Sequence, residues 1–168
     1  MRSFRKTVLN YYRRHGRRLP WRETDNPYKI LVSEIMLQQT QVSRVILFYQ
    51  RFVRAFPTVR ALARAPLQKV LRLWQGLGYN RRALFLKGAA EAIVRKHGGE
   101  VPRDVEKLDA LHGIGRDTAA AILVYGWNES VVFVETNIRA TFIHHFFPRR
   151  KKVRDAEILE LVKQTLPV

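Results

Sequence analysis

Cysteine is absent from all 168 residues, which excludes disulfide stapling, a thiol nucleophile and any Cys-ligated zinc or iron–sulfur site within this chain. Glycine and proline are scarce at 9 and 7 residues, too few for a disordered or low-complexity chain. Acidic residues are also few, 14 against 31 Lys and Arg, so the formal net charge is +17. No apolar run approaches the roughly 18 residues that a membrane span needs. The basic residues scattered through the first turns of the chain interrupt the apolar stretch that a signal peptide requires. At 46% hydrophobic content the chain can bury a core, and one compact domain or two small lobes fit the length.

Such an excess of positive charge attracts polyanions, nucleic acid above all. The basic residues form no separate arm. They recur at Arg13, Arg14, Arg17, Arg18 and Arg22, at Arg60, Arg64 and Arg72, at Arg81 and Arg82, and from Arg149 to Lys152. A binding surface assembled from several folded segments is expected.

Apolar spacing is helical almost throughout, so the chain reads as all-α. Residues 27–38 carry a stripe of Ile30, Leu31, Ile35 and Leu37, with Pro27 in the first turn. Helices follow over 41–56, from Pro57-Thr58 to about Ala65-Pro66, and over 67–74. Gly76-Leu77-Gly78 is a hinge before a long helix over 79–96, which His97-Gly98-Gly99 ends. Shorter helices are predicted over 105–111 and 117–125. Residues 130–135 are β-prone but have no partner run, and read as an extended linker. Asn137 and Asp155 are positioned to cap the last two helices.

The segment 105–125 joins a short helix to one rich in small residues through Gly113-Ile114-Gly115. Both glycines suit positive φ and leave amide groups uncovered. With the dipole of the following helix, those amides can hold one phosphate without reading a base. An ordinary helical corner is the plainer reading, but the flanking Leu108, Leu111 and Thr118-Ala119-Ala120 favour a DNA-binding helix–hairpin–helix.

Several motifs taken together resemble the A/G-specific adenine DNA glycosylases (the MutY type). They are Leu19-Pro20-Trp21-Arg22, Pro27-Tyr28-Lys29, the run Ser33-Glu34-Ile35-Met36-Leu37-Gln38-Gln39-Thr40, Gly76-Leu77-Gly78-Tyr79, and the hairpin. The match is nearly collinear from about Arg17 to Arg139. That family belongs with endonuclease III and the thymine–guanine mismatch glycosylases among the helix–hairpin–helix enzymes. The resemblance implies a two-lobed all-α fold with DNA in the cleft. A six-helix barrel is expected over 23–128, with the hairpin at 105–125. The second lobe comprises 1–22 and 129–168 and looks incomplete at its C-terminal end: family members run on beyond residue 168, often with a four-Cys cluster. Ile158, Leu159, Leu161, Val162 and Leu166 of the last helix stand ready to pack. The chain is then either a shortened form or a minimal one whose second lobe is completed differently, and an incomplete lobe implies intrinsic instability or association through that face.

The resemblance further implies site residues. Glu34 would protonate the departing base. A carboxyl enclosed by apolar side chains holds its proton more tightly, which suits it to donate one. Glu135 stands where the family has Asp, one methylene longer, and is either the second catalytic carboxylate or a helix cap. Arg17, Leu19, Trp21, Arg22, Leu37 and Asp117 would surround the extruded base, although Trp21 and Leu37 equally suit a core. Gln39 would fill the vacated stack, flanked by Gln38 and Thr40, and Tyr79 would stack near the opposite base. Arg81, Gly113, Gly115, Arg116, Thr118 and Asn137 would contact DNA. Bifunctional relatives carry Lys where this chain has Asp117, so release without strand cleavage is expected.

No side chains are spaced as metal ligands, while hairpins of this type often hold an alkali-metal ion on backbone carbonyls. The expected partner is duplex DNA with a mismatched or damaged base, adenine opposite 8-oxoguanine or guanine. The protein would be a cytoplasmic, nucleoid-associated monomer of a prokaryote. A thymine–guanine enzyme and a non-catalytic DNA-binding protein are the alternatives.

Overall fold

A computed structural model describes residues 2–166, and among them every regular element is helical. The helices are α1 (Arg2–His15), α2 (Pro27–Leu37), α3 (Val42–Ala55), α4 (Val59–Arg64), α5 (Leu67–Trp74), α6 (Arg81–Lys96), α7 (Val105–Asp109), α8 (Arg116–Trp127), α9 (Thr136–Phe146) and α10 (Asp155–Thr165), with a 3-10 turn at Pro20–Arg22. Residues 130–135 are extended and unpaired, as a linker. No helix among the described residues is long and apolar enough to cross a membrane.

The chain forms two compact units, Leu19–Glu129 and Met1–Arg18 with Ser130–Val168. The sequence boundary at residue 23 therefore moves to Leu19. Leu19 and Trp21 are buried in the larger unit, where the Trp21 ring meets Tyr49 edge-on at 5.4 Å.

The larger unit is built around α2. Asn26 caps it, accepting from the amides of Tyr28 and Lys29 at 3.1 Å each, and Pro27 presets its first turn. The expected one-sided stripe is not what the helix presents. Tyr28, Ile30, Leu31, Val32, Ser33, Ile35 and Met36 are all buried, because α3, α6, α8 and the 3-10 turn pack around it. Leu37, placed in that stripe by its spacing, is only half-buried. Burial pushes the Tyr28 phenol well above its usual range, and its hydroxyl donates to the Phe56 carbonyl at 2.8 Å. Phe52, Phe56 and Trp74 join α3 to α5 through edge-on ring contacts. Small residues on α6 (Ala83, Ala89 and Ala90, all fully buried) let α4 approach closely.

In the smaller unit, Val134, Phe142, Ile158 and Val162 form the core, with Phe4 of α1 packed on Phe142 and Phe146. Neither Asn137 nor Asp155 is the cap its position suggests, while Glu135 takes the cap role that was one of its two readings. Glu135, not Asn137, caps α9, because the Asn137 amide is turned back to donate to the Glu135 carboxylate at 3.0 Å. Arg154 occupies the cap position of α10, while Asp155 lies in its first turn and forms a two-pronged pair with Arg139 at 2.6 and 2.9 Å. That pair ties α9 to α10.

Candidate active site and nucleic-acid interface

Glu34 is the one residue between Ile30 and Met36 that is not buried. Its neighbours Ser33 and Ile35 are enclosed, and Ser33 satisfies its own hydroxyl by donating to the Ile30 carbonyl at 2.8 Å. The apolar run around Glu34 suggests full enclosure, but its side chain is half-buried. A buried helix that opens at one carboxylate holds that group on a rigid support while a polar ligand can still reach it.

One turn later the chain leaves α2 through Gln38, Gln39 and Thr40. Gln39 is exposed and adopts φ +52°, a left-handed conformation that costs a residue with a Cβ roughly 1–2 kcal/mol. Tyr79, just before α6, does the same at φ +50° with 63% of its surface exposed. Arg82 lies between these two segments. Only 7% exposed, its guanidinium donates to the carbonyls of Ile35 at 3.1 Å, Met36 at 2.9 Å, Gln38, and Gly78 at 3.1 Å, and to the Thr40 hydroxyl at 2.8 Å. Sequence reasoning counted Arg82 only as one basic residue among many. The available signal was its spacing, since Arg82, Leu86, Ala89, Ala90 and Ile93 share the buried face of α6.

The hairpin packs on the same unit. Asp104 caps α7 by accepting from the Lys107 amide at 2.9 Å, and Leu108, Leu111 and Ile114 are buried. Gly113 requires its missing Cβ, because φ is +82° and an added Cβ would lie 2.5 Å from Cβ of Phe85. Gly115 departs from the expected positive φ. At φ −95° and ψ 171° it is the cap of α8, offers no side-chain cap, and has open space where a Cβ would stand. The first turn of α8 thus presents backbone amides over an uncrowded surface, with Arg116 and Asp117 exposed and Thr118 half-buried. The Gln38 side-chain Nε2 donates to the Gly113 carbonyl at 3.5 Å, which links the α2 loop to the hairpin. Arg81 lies over the Phe85 ring at 5.5 Å, and His112 meets the same ring edge-on at 4.4 Å.

Glu135 belongs to the smaller unit. One carboxylate oxygen accepts from the Ile138 amide at 2.9 Å and the other from Asn137. Arg17 and Arg22 are exposed. Two surface grooves, of about 610 and 480 Å³, are lined by none of the predicted site residues. Among the described residues no group of three or more His, Cys, Asp or Glu could hold a metal ion.

The family model of the HhH-GPD superfamily base excision DNA repair proteins matches residues 32–164, a span that includes Glu34, the 38–40 loop, the hairpin and Glu135. The chain is 40% identical over 164 residues to the adenine DNA glycosylase of Mycolicibacterium smegmatis, covering 95% of this chain and 55% of that protein. It is 42% identical over 144 residues to the Buchnera aphidicola protein of the same name, covering 85% and 41%. The chain thus spans about half the length of the curated relatives it matches. Among solved structures, a thermostable thymine-DNA glycosylase superposes with a TM-score of 0.86 at 26% identity, covering 99% of this chain and 78% of that one. An endonuclease III trapped covalently on DNA shares the fold, with a TM-score of 0.82 at 20% identity, covering 99% and 76%. With the helix–hairpin–helix built as described and most of its length inside the family match, the chain belongs to the HhH-GPD superfamily of base excision DNA repair proteins.

Proposed function

We propose that this chain is a monofunctional DNA glycosylase that releases adenine opposite 8-oxoguanine or guanine. The observation that carries the reading is Glu34, a half-buried carboxyl on an otherwise buried helix, one turn before an exposed left-handed Gln39. The names of the adenine glycosylase relatives support the choice of base. Extruding a base from a duplex costs a few kcal/mol, and Gln39 would occupy the emptied stack while Tyr79 meets the opposite base. Glu34 donates its proton to the adenine ring as the bond from the sugar C1′ to the base breaks, its electron pair leaving with the base. The resemblance assigns to Glu135 the second carboxylate, whose charge would offset the positive charge that develops on the sugar; water then adds to C1′, losing a proton.

The amides of the first turn of α8 would hold a phosphate beside Gly113 and Gly115. The hairpin carbonyls form an oxygen-only donor set. Those of Leu111 and Gly113 accept from the Ile114 amide and from Gln38, and each keeps a second lone pair. The hairpin backbone could therefore hold a monovalent cation, which would add positive charge beside that phosphate. Gly115→Val is expected to cost less than about 1 kcal/mol, the loss of a favoured cap residue, because nothing crowds that position. It should weaken binding to every duplex alike, since the amides position rather than read. Gly113→Val should instead destabilise the fold by about 1–3 kcal/mol, through strain and overlap with Phe85, and lower the unfolding midpoint accordingly. Melting curves and duplex titrations across several sequences separate the two; a sequence-selective loss in Gly115→Val counts against the hairpin's role.

The decisive experiment measures base release from duplexes with adenine opposite 8-oxoguanine, adenine opposite guanine, and thymine opposite guanine. Release from the adenine pairs is expected, with strand breaks only after hot alkali and no borohydride-trapped adduct, because Asp117 provides no amine. Release of thymine alone would favour the second reading, for which the fold match to a thymine-DNA glycosylase speaks. Duplex binding without release from any substrate would mark a non-catalytic DNA-binding protein.

A further inference from the structure

We infer that Arg82 is a positioning residue that sets both Gln39 and Tyr79 for base extrusion, an inference that rests on the DNA-facing roles proposed for those two residues. Gln39 and Tyr79, two of the three exposed left-handed residues other than glycine among the described residues, lie 40 positions apart, and each follows directly on a carbonyl that Arg82 holds. Gln39 follows the Gln38 carbonyl, and Tyr79 follows the Gly78 carbonyl. Fixing the oxygen of a peptide fixes the plane of that peptide, and so limits the φ of the next residue. The same guanidinium takes the Ile35 and Met36 carbonyls at the end of α2, where backbone acceptors lack helical partners and a cation is favoured by the dipole. It also lies 5.3 Å from the Tyr79 ring. One planar, many-armed donor therefore connects the helix that carries Glu34, the loop that carries Gln39 and the turn that carries Tyr79.

A residue present only to fill this place would be apolar, since burying a cation is costly even when it is hydrogen-bonded. Desolvation pulls the Arg82 guanidinium below its usual range, and its Nε is buried with no hydrogen-bond partner among the described residues. Lysine cannot substitute: a single ammonium has three donors on one atom and cannot span acceptors on separate segments.

Arg82→Lys and Thr40→Val, each made in the full chain, test this. Thr40→Val removes one arm of the clamp and leaves the guanidinium in place. NMR backbone shifts and couplings, recorded without DNA, report whether φ is positive at residues 39 and 79. Fluorescence of 2-aminopurine placed as the target base in a duplex reports extrusion. In Arg82→Lys the left-handed signature should disappear at both positions together, and extrusion should fall on the order of a hundredfold. Affinity for an undamaged duplex should fall far less than extrusion, because the phosphate grip proposed for the hairpin rests on the backbone amides at the start of α8. Thr40→Val should disturb residue 39 alone. Retention of the signature at either position in a folded Arg82→Lys protein, or parent-level extrusion, overturns the inference. If Arg82→Lys fails to fold, Thr40→Val decides: a change confined to residue 39 supports the clamp, and parent shifts overturn it. A parent that never extrudes the base overturns the roles of Gln39 and Tyr79, and the NMR result then decides by itself whether Arg82 holds both segments.

Discussion

Glu34→Gln is expected to lower single-turnover release of adenine by about 10²–10⁴-fold, the range attributed to a positioned general acid. The substitution keeps size and shape but provides no transferable proton. Affinity for a duplex carrying adenine opposite 8-oxoguanine should stay close to the parent, since the residues proposed to grip DNA lie in the α2 loop, the Tyr79 turn and the hairpin. Because Glu34 is half-buried on a helix whose other central residues are enclosed, the change removes no packed apolar volume, and the unfolding midpoint should move little. Rates measured under enzyme excess, beside anisotropy titrations, check this. A variant within threefold of the parent's rate would show that the proton comes from another group.

The second large effect is expected at Glu135. Its carboxylate caps α9, with one oxygen on the Ile138 amide and the other on Asn137. If capping were its only role, Glu135→Gln would lose the charge at the helix N-terminus, worth roughly 0.3–1 kcal/mol, and nothing in rate. A role in stabilising the sugar cation predicts a loss of about 10²–10³-fold in base release, the range for removing one preorganised electrostatic partner. Glu135→Asp separates the two roles further. Asp is among the preferred N-cap residues, so the helix end survives, while the charge retracts by one bond length. A displacement near 1 Å can change the rate about a hundredfold. A fall indicates that the backbone has adapted to Glu, and a rise indicates that the geometry still suits Asp. Rates unchanged in both variants would leave Glu135 a cap and nothing more.

Local signals along the chain accounted for a good part of this molecule. Asn26-Pro27 starts α2 because capping and a preset φ involve only adjacent residues. The helix over 67–74 matches its predicted limits, since the prolines and glycines that bound it act on their own backbone. Gly113 reads correctly as a left-handed turn residue for the same reason. The Ser33–Thr40 motif identified the family because its residue types are an unusual combination at that spacing, and the match over residues 32–164 agrees.

Other features depend on partners far away in sequence. The spacing of α2 suggests one apolar stripe, and only the arrival of α3, α6 and α8 around it buries every residue from Ile30 to Met36 except Glu34. Asn137 and Asp155 have the right side chains to cap α9 and α10. Glu135 claims the first and Arg139 the second, and each such competition is settled by which polar partner packing brings near. Gly115 looks like a second left-handed glycine, yet the entry into α8 holds it at negative φ. Arg82 is the extreme case. In sequence it is one of 31 basic residues, and its role exists only once α2, the 38–40 loop and the Gly78 turn have converged. Residue types and spacing determined the helices, the hairpin and the family. Tertiary structure decided which carboxylate stays reachable and which cation is buried, because burial and hydrogen-bond partners belong to the packed neighbourhood and not to the residue.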